Sequence, residues 1–202
     1  MPSMPSLWQI MIDSSTAAEP PVITSPLSYA HFEQMAALEL KYYGADFITP
    51  AEEAYRWYCK HAYTTTAATV NGEVVGFVNL FPILPAEFGK LLCGQLNDSE
   101  LAAESIVDIH ADEEPLHMFL SCILIEPAYR RTGLTHRLLR AAIAPYLPVQ
   151  HRCRLIATDN ITPEGADFSR HFGFTAQGTS EHGSHLFVQP FSSFISKVFA
   201  SL

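Results

Sequence analysis

The sequence predicts an α/β (α+β) fold in which a central mixed sheet is flanked by helices. Three observations predict it. An Asn71-Gly72 dipeptide joins two β-rich runs; a strongly apolar run at 116–125 leads through a helical segment to a second apolar run at 154–158; and apolar residues recur at helical spacing before and after these strands. The hairpin demands antiparallel pairing and the strand–helix–strand unit demands parallel pairing, so the sheet is mixed. The chain has 202 residues, of which 48% are apolar and only 16% charged, which suits one domain with a substantial core and argues against disorder.

Residues 1–26 are rich in Pro, Ser and Thr without a sustained period, and predict an extended N-terminal arm ahead of a domain spanning 27–202. Phe32, Met35, Ala36, Leu40 and Tyr43 follow helical spacing, and Gly44 can end that helix. A second helix begins at Thr49-Pro50-Ala51-Glu52, where Thr caps, Pro fits the first turn and Glu completes a capping box. Residues 64–70 and 73–81 form the hairpin strands, because Asn-Gly supplies the positive φ its turn needs, and Pro82 and Pro85 close the second strand. Residues 86–115 predict an insertion holding one or two short helices. The strand at 116–125 stops at Pro127. A helix follows from about Gly133 to Tyr146, then the strand at 154–158, a helix from Thr162-Pro163 to Gly173, short strands at 174–177 and 185–188, and a C-terminal helix from Phe191.

The segment Ile123-Leu-Ile-Glu-Pro-Ala-Tyr-Arg-Arg-Thr-Gly-Leu-Thr-His136 carries the chemistry. A buried strand runs through a Pro-terminated turn into a basic, Gly-containing loop and then a helix. The first N–H groups of a helix lack intrahelical partners and its dipole favours anions, so this is a phosphate site; an ordinary turn with solvated arginines fits the same residues, and both readings stand at this point. No GxxxxGK[ST] and no GxGxxG after the first strand occurs, which disfavours a P-loop and a dinucleotide fold.

The run Pro127-Ala-Tyr129-Arg130-Arg131-Thr132-Gly133-Leu134-Thr135 resembles the Arg/Gln-x-x-Gly-x-Gly/Ala loop of the GCN5-related N-acetyltransferases (GNAT), with Thr135 where Gly or Ala is usual. Asn160 followed by Ala-Asp-Phe-Ser-Arg-His-Phe-Gly173-Phe174 resembles the family's second motif, and the likeness covers roughly residues 28–189. The resemblance implies a GNAT-like acyl-CoA N-acyltransferase fold and acetyl-CoA as co-substrate. It implies that the pantetheine pairs with the backbones of Ile123 and Ile125. The pyrophosphate would lie on Arg130, Arg131, Thr132, Gly133, Leu134, Thr135 and His136, with Asn160 nearby. It implies transfer of an acetyl or other acyl group to an amine-bearing acceptor, a small molecule or a peptide or protein, by direct attack. The alternative is a catalytically silent acyl-CoA-binding module with a regulatory role. The family often places a proton-donating Tyr four residues before the Gly of Gly-Phe; here that position is Ser169, where a hydroxyl would act by holding a water.

His117 and Ser121 share a parity on the 116–125 strand, so both are candidates to face the acceptor, with His117 as a base whose ordinary pKa lies near 6.5. Glu113 and Glu114 attract an amine or form a solvated turn, and Glu126 reads as a turn residue. The aromatic cluster including Tyr42, Tyr43, Phe47 and Trp57 is mostly core, some of it bordering the acceptor. His182 and His185 without further ligands are a surface hairpin, so no metal is expected. Cys59, Cys93, Cys122 and Cys153 form no CxxC pair, and the last two read as buried thiols. A formal charge of −9 disfavours nucleic acid, and no run approaches the length of a membrane helix, so the reading is a cytoplasmic protein, monomer or homodimer, with no membrane partner.

Overall fold

The structure, a computed structural model, describes residues 19–96, 99, 101–111 and 114–200. Most of the expected arm, together with Glu113, lies outside the described residues. The elements run β1 (Val22–Thr24), α1 (Tyr29–Tyr43), α2 (Ala51–Lys60), β2 (Thr65–Val70), β3 (Glu73–Ile83), α3 (Pro85–Leu92), β4 (Leu116–Ile125), α4 (Leu134–Ile143), β5 (Cys153–Asn160), α5 (Pro163–His171), β6 (Thr175–Thr179), β7 (His185–Pro190) and α6 (Phe191–Ala200). The seven strands form one sheet in the order β1-β2-β3-β4-β5-β7-β6. Every pairing is antiparallel except that of β4 with β5, where α4 supplies the crossover.

Several local rules hold and several give way. Asn71 and Gly72 take φ 52° and 81°, the pair of positive values a tight hairpin requires. Thr162 Oγ1 accepts from the Gly165 amide at 3.0 Å and caps α5. The capping box expected at Thr49 does not form: Pro50 occupies the cap of α2, and the Thr49 amide donates instead to Glu39 Oε2 at 3.1 Å. The arm contributes β1, whose Val22–Thr24 pairs with β2. Strand β3 continues past Pro82, because beyond Asn79 its outer side no longer meets β2; there the insertion covers it, and the Val107 amide donates to the Pro82 carbonyl at 3.0 Å.

Helices cover both faces of the sheet. On one, α4 and α6 bury Leu138, Leu139, Phe191 and Phe194 with Tyr146. On the other, α1, α2 and α3 bury Phe32, Trp57, Phe88 and Leu91 against Phe77, Phe81 and Phe119. Trp57 is wholly buried and its indole N–H donates to the Leu101 carbonyl at 2.9 Å, pinning the insertion to α2.

Candidate active site

The two parallel strands separate. β4 pairs with β5 from Leu116↔Cys153 to Phe119↔Ala157 and not beyond. A bulge is the physical reason. On the β3 side the register passes from Leu80↔Leu120 to Asn79↔Cys122, which leaves Ser121 as an extra residue; a bulge bends its strand and raises the local twist. It also resets the alternation of faces. Met118 and Leu120 pack towards α4, whereas Cys122 and Leu124 pack towards α1 and α2 with Phe119. Beyond the bulge, the Ile123 carbonyl accepts the Tyr43 hydroxyl at 3.2 Å and the Ile125 carbonyl accepts Arg130 Nε at 3.0 Å. Neither carbonyl is therefore turned to β3. The N–H and C=O of one strand residue point to the same side, so the amides of Ile123 and Ile125 face the opening too.

At the end of that opening lies a row of amides. A short 3₁₀ turn at Pro127–Tyr129 delivers the chain to Arg131 with φ 63° and Gly133 with φ 80°, and α4 starts at Leu134. Among the described residues, the amides from Arg131 to His136 donate to no acceptor; the first intrahelical bond at this end is Arg137 N–H to the Gly133 carbonyl at 3.2 Å. Consecutive outward amides next to left-handed residues form an anion-binding concavity, and the helix dipole adds to it. Thr132 Oγ1 braces the loop by donating to the Tyr129 carbonyl at 2.7 Å. Arg130 turns back onto the strand, its guanidinium 5.9 Å from the Tyr42 ring centroid, while Arg131 is exposed. Glu126 is more than a turn residue: it accepts from Lys41 Nζ at 2.8 Å and from the Tyr42 hydroxyl at 2.7 Å, tying α1 to the loop. The Lys41 ammonium above all holds its carboxyl below the usual range.

Where the strands part, a cavity of about 270 Å³ opens. Ser121, Cys122 and Ile123 line it from β4, Thr158, Asp159 and Asn160 from β5, and Glu39 and Tyr43 from α1. Leu96 of the insertion and His182 and Ser184 of the β6–β7 turn close it. Glu39 is only 5% exposed. Burial keeps the Tyr43 hydroxyl protonated far above its ordinary range.

A model of the acetyltransferase (GNAT) family matches residues 32–174. The chain belongs to that family. Three solved structures illustrate the likeness. The loading GNATL domain of CurA from Lyngbya majuscula superposes with a TM-score of 0.57 at 14% identity, over 86% of this chain and 99% of that one. Ard1 from Thermoplasma volcanium gives 0.55 at 12% identity, over 84% and 97%. Arabidopsis thaliana Naa50, in complex with the bisubstrate analogue CoA-Ac-MVNAL, gives 0.53 at 12% identity, over 84% and 97%. At these identities the neighbours show a shared fold. No curated protein sequence matches the chain. Membership gives the GNAT protein acyl transfer as its class of chemistry.

Within this GNAT framework the residues singled out by sequence fall into three groups. Ile123 and Asn160 line the cavity, while Ile125 and the run from Arg130 to His136 follow along β4 and the start of α4 outside its lining, with the His136 ring on Phe172, 5.6 Å between centroids. Ser121 lines the cavity, but His117 does not. His117 keeps the face of Phe119, which lines the cavity with Ser121, but sits nearer the start of β4, beyond the reach of the cavity. His117 lies before the bulge, opposite Ile83, with its ring stacked 4.6 Å from Phe88, and burial followed by the Arg154 charge lowers its pKa. Ser169 is fully buried, and its Oγ accepts from Asn160 Nδ2 at 2.7 Å, so it meets the cavity through Asn160 and holds that side chain. Glu114 is exposed and absent from the cavity lining. Two lining carboxylates escaped sequence reasoning. Glu39 had a signal: it stands four residues from both Met35 and Tyr43, on the buried stripe of α1, while Leu40 is 52% exposed. Asp159, at the end of a buried strand, had none.

Proposed function

We propose that the protein transfers an acyl group from acetyl-CoA to an amine by direct attack. One observation carries the reading: β4 leaves β5 beyond Phe119, and the opening ends on six consecutive amides without acceptors among the described residues. The residues fit the co-substrate on these grounds. The Ile123 and Ile125 amides pair with an extended, amide-bearing arm as a missing strand would, and the amides of Arg131 to His136 receive a pyrophosphate, with Arg131 adding charge.

The chain's own groups then supply the chemistry. An amine acceptor arrives largely as ammonium and must lose a proton to attack. Glu39, buried in the cavity wall, takes it. The amides along Ile123–Ile125 polarise the thioester carbonyl. Ser121, at the bulge, hydrogen-bonds the incoming nitrogen. As the C–N bond forms, the nitrogen gives its remaining excess proton to water; as the C–S bond breaks, the proton held by Glu39 passes to the departing sulfur, and the protonated Tyr43 hydroxyl, one helical turn from Glu39, turns from the Ile123 carbonyl to donate to that sulfur. Cys122 lines the cavity, yet direct transfer asks no covalent step of it. The silent-module alternative draws on Ser169 standing where a Tyr is usual. Calorimetric titration with acetyl-CoA and thiol release across an amine panel decide between these. Binding with amine-dependent release is expected. No binding refutes the whole reading, binding without release from any amine leaves the silent module, and an acyl-enzyme trapped on a cysteine refutes direct attack.

A further inference from the structure

Asp159 is the cavity carboxylate that the mechanism does not use. It sits on β5, whereas Glu39 reaches the same space from α1, beside the Tyr43 that bonds to β4. The two acids therefore occupy different walls. No Lys or Arg is among the lining residues. Asp159 Oδ1 is buried and has no hydrogen-bond partner among the described residues. A carboxylate oxygen removed from water and left unpaired is costly, and a cation in the cavity would relieve it. The environment bears this out: burial raises the Asp159 pKa, against the smaller opposing pull of the Ser184 hydroxyl and of His182 and His185.

Apolar side chains, Phe47, Leu96, Phe119 and Ile161, share the lining with the two acids. The wall beside Asp159 is also rigidly built. The Glu181 amide donates to the Gly94 carbonyl at 3.0 Å, and any Cβ on Gly94 would come 2.7 Å from Ser180 Cα, so the insertion and the β6–β7 turn are in backbone contact. A cavity of about 270 Å³ with a carboxylate from each of two elements and apolar side chains in its lining matches a short chain of methylenes with a nitrogen at each end.

Resting on the amine-acetylation reading, we infer that the acceptor is a small diamine, one nitrogen reacting beside Glu39 and the second held as an ammonium by Asp159. An acceptor with a carboxylate at its far end would meet Asp159 as a like charge and be rejected.

The test is thiol release from acetyl-CoA with three acceptors of equal chain length: diaminobutane with an amine at each end, butylamine, and aminobutyrate with its amine and carboxylate at opposite ends. A hydrogen-bonded charge pair predicts a kcat/KM for the diamine roughly 10- to 100-fold above butylamine, with aminobutyrate the poorest. Asp159→Asn should bring the diamine-to-butylamine ratio within about threefold of unity, with retained acetyl-CoA binding in calorimetry showing that the variant is folded. Asp159→Ser serves as the second variant should the first not fold. Equal use of diamine and butylamine by the wild type, or a preference that survives both substitutions, overturns the inference while leaving amine acetylation standing. Acetyl-CoA binding with no release from any of the three acceptors defeats amine acetylation, and the diamine assignment falls with it.

Discussion

The two walls of the opening are built in different ways. The β4–α4 wall is made of backbone: the amides of Ile123 and Ile125 and the row from Arg131 to His136. The rest of the lining is made of side chains drawn from distant parts of the chain, among them Glu39 from α1, Ser121 from β4, Asp159 from β5 and His182 from the β6–β7 turn. A backbone wall recognises what acyl-CoA co-substrates share, an amide-bearing arm and a pyrophosphate. A side-chain wall sets which acceptor enters. Changes on one wall should leave the other's function intact.

The largest effect is expected at Gly133. Its φ of 80° disfavours any side chain, although a Cβ there would meet nothing within 4 Å. Gly133→Asp adds a negative charge to an anion cradle and should reduce acetyl-CoA binding in calorimetry below detection, while far-UV circular dichroism stays that of the wild type. Next is Glu39→Gln, expected to lower kcat by ~10²-fold or more at unchanged acetyl-CoA affinity and to remove a step from the pH–rate profile. A lost affinity would show that the walls are not separable.

A smaller effect belongs to Ser169→Ala. Asn160 Nδ2 loses a buried acceptor at 2.7 Å, and a cost of about 1 kcal/mol predicts a roughly fivefold weaker acetyl-CoA affinity in the same titration. The smallest is a pH effect on stability. Burial lowers the pKa of His61, His117 and His136 from 6.5, so the unfolded chain binds protons first as pH falls. Stability from these groups is complete above the unfolded value of 6.5 and is lost as pH falls below it. The urea midpoint should therefore be lower at about pH 5 than at about pH 7. Asp159, whose folded pKa is raised, works in the opposite direction at lower pH.

The same contrast sets what the sequence discloses. The backbone wall is local: Pro127, Gly133 and the following helix lie within a dozen residues, and the glycine, the proline and the helix start each have a sequence signature. The hairpin at Asn71-Gly72 and the βαβ unit are legible for the same reason. The side-chain wall is assembled by tertiary contacts between α1, β4, β5 and the β6–β7 turn, and no spacing rule spans those separations. Alternation counting also says nothing of position along a strand, and for that reason His117 looks equivalent to Ser121 in the sequence, whereas the cavity begins only at Phe119. Glu39 is the instructive case between the two, a carboxylate on an apolar helical stripe whose partner is the Thr49 amide.

The most direct test of the separation is residue-resolved hydrogen exchange with and without saturating acetyl-CoA. New protection is expected at the amides of Ile123 and Ile125 and from Arg131 to His136, with exchange across α1 and the β6–β7 turn unchanged. Protection concentrated on α1 or the β6–β7 turn, with the Arg131–His136 amides still exchanging freely, would contradict the separation.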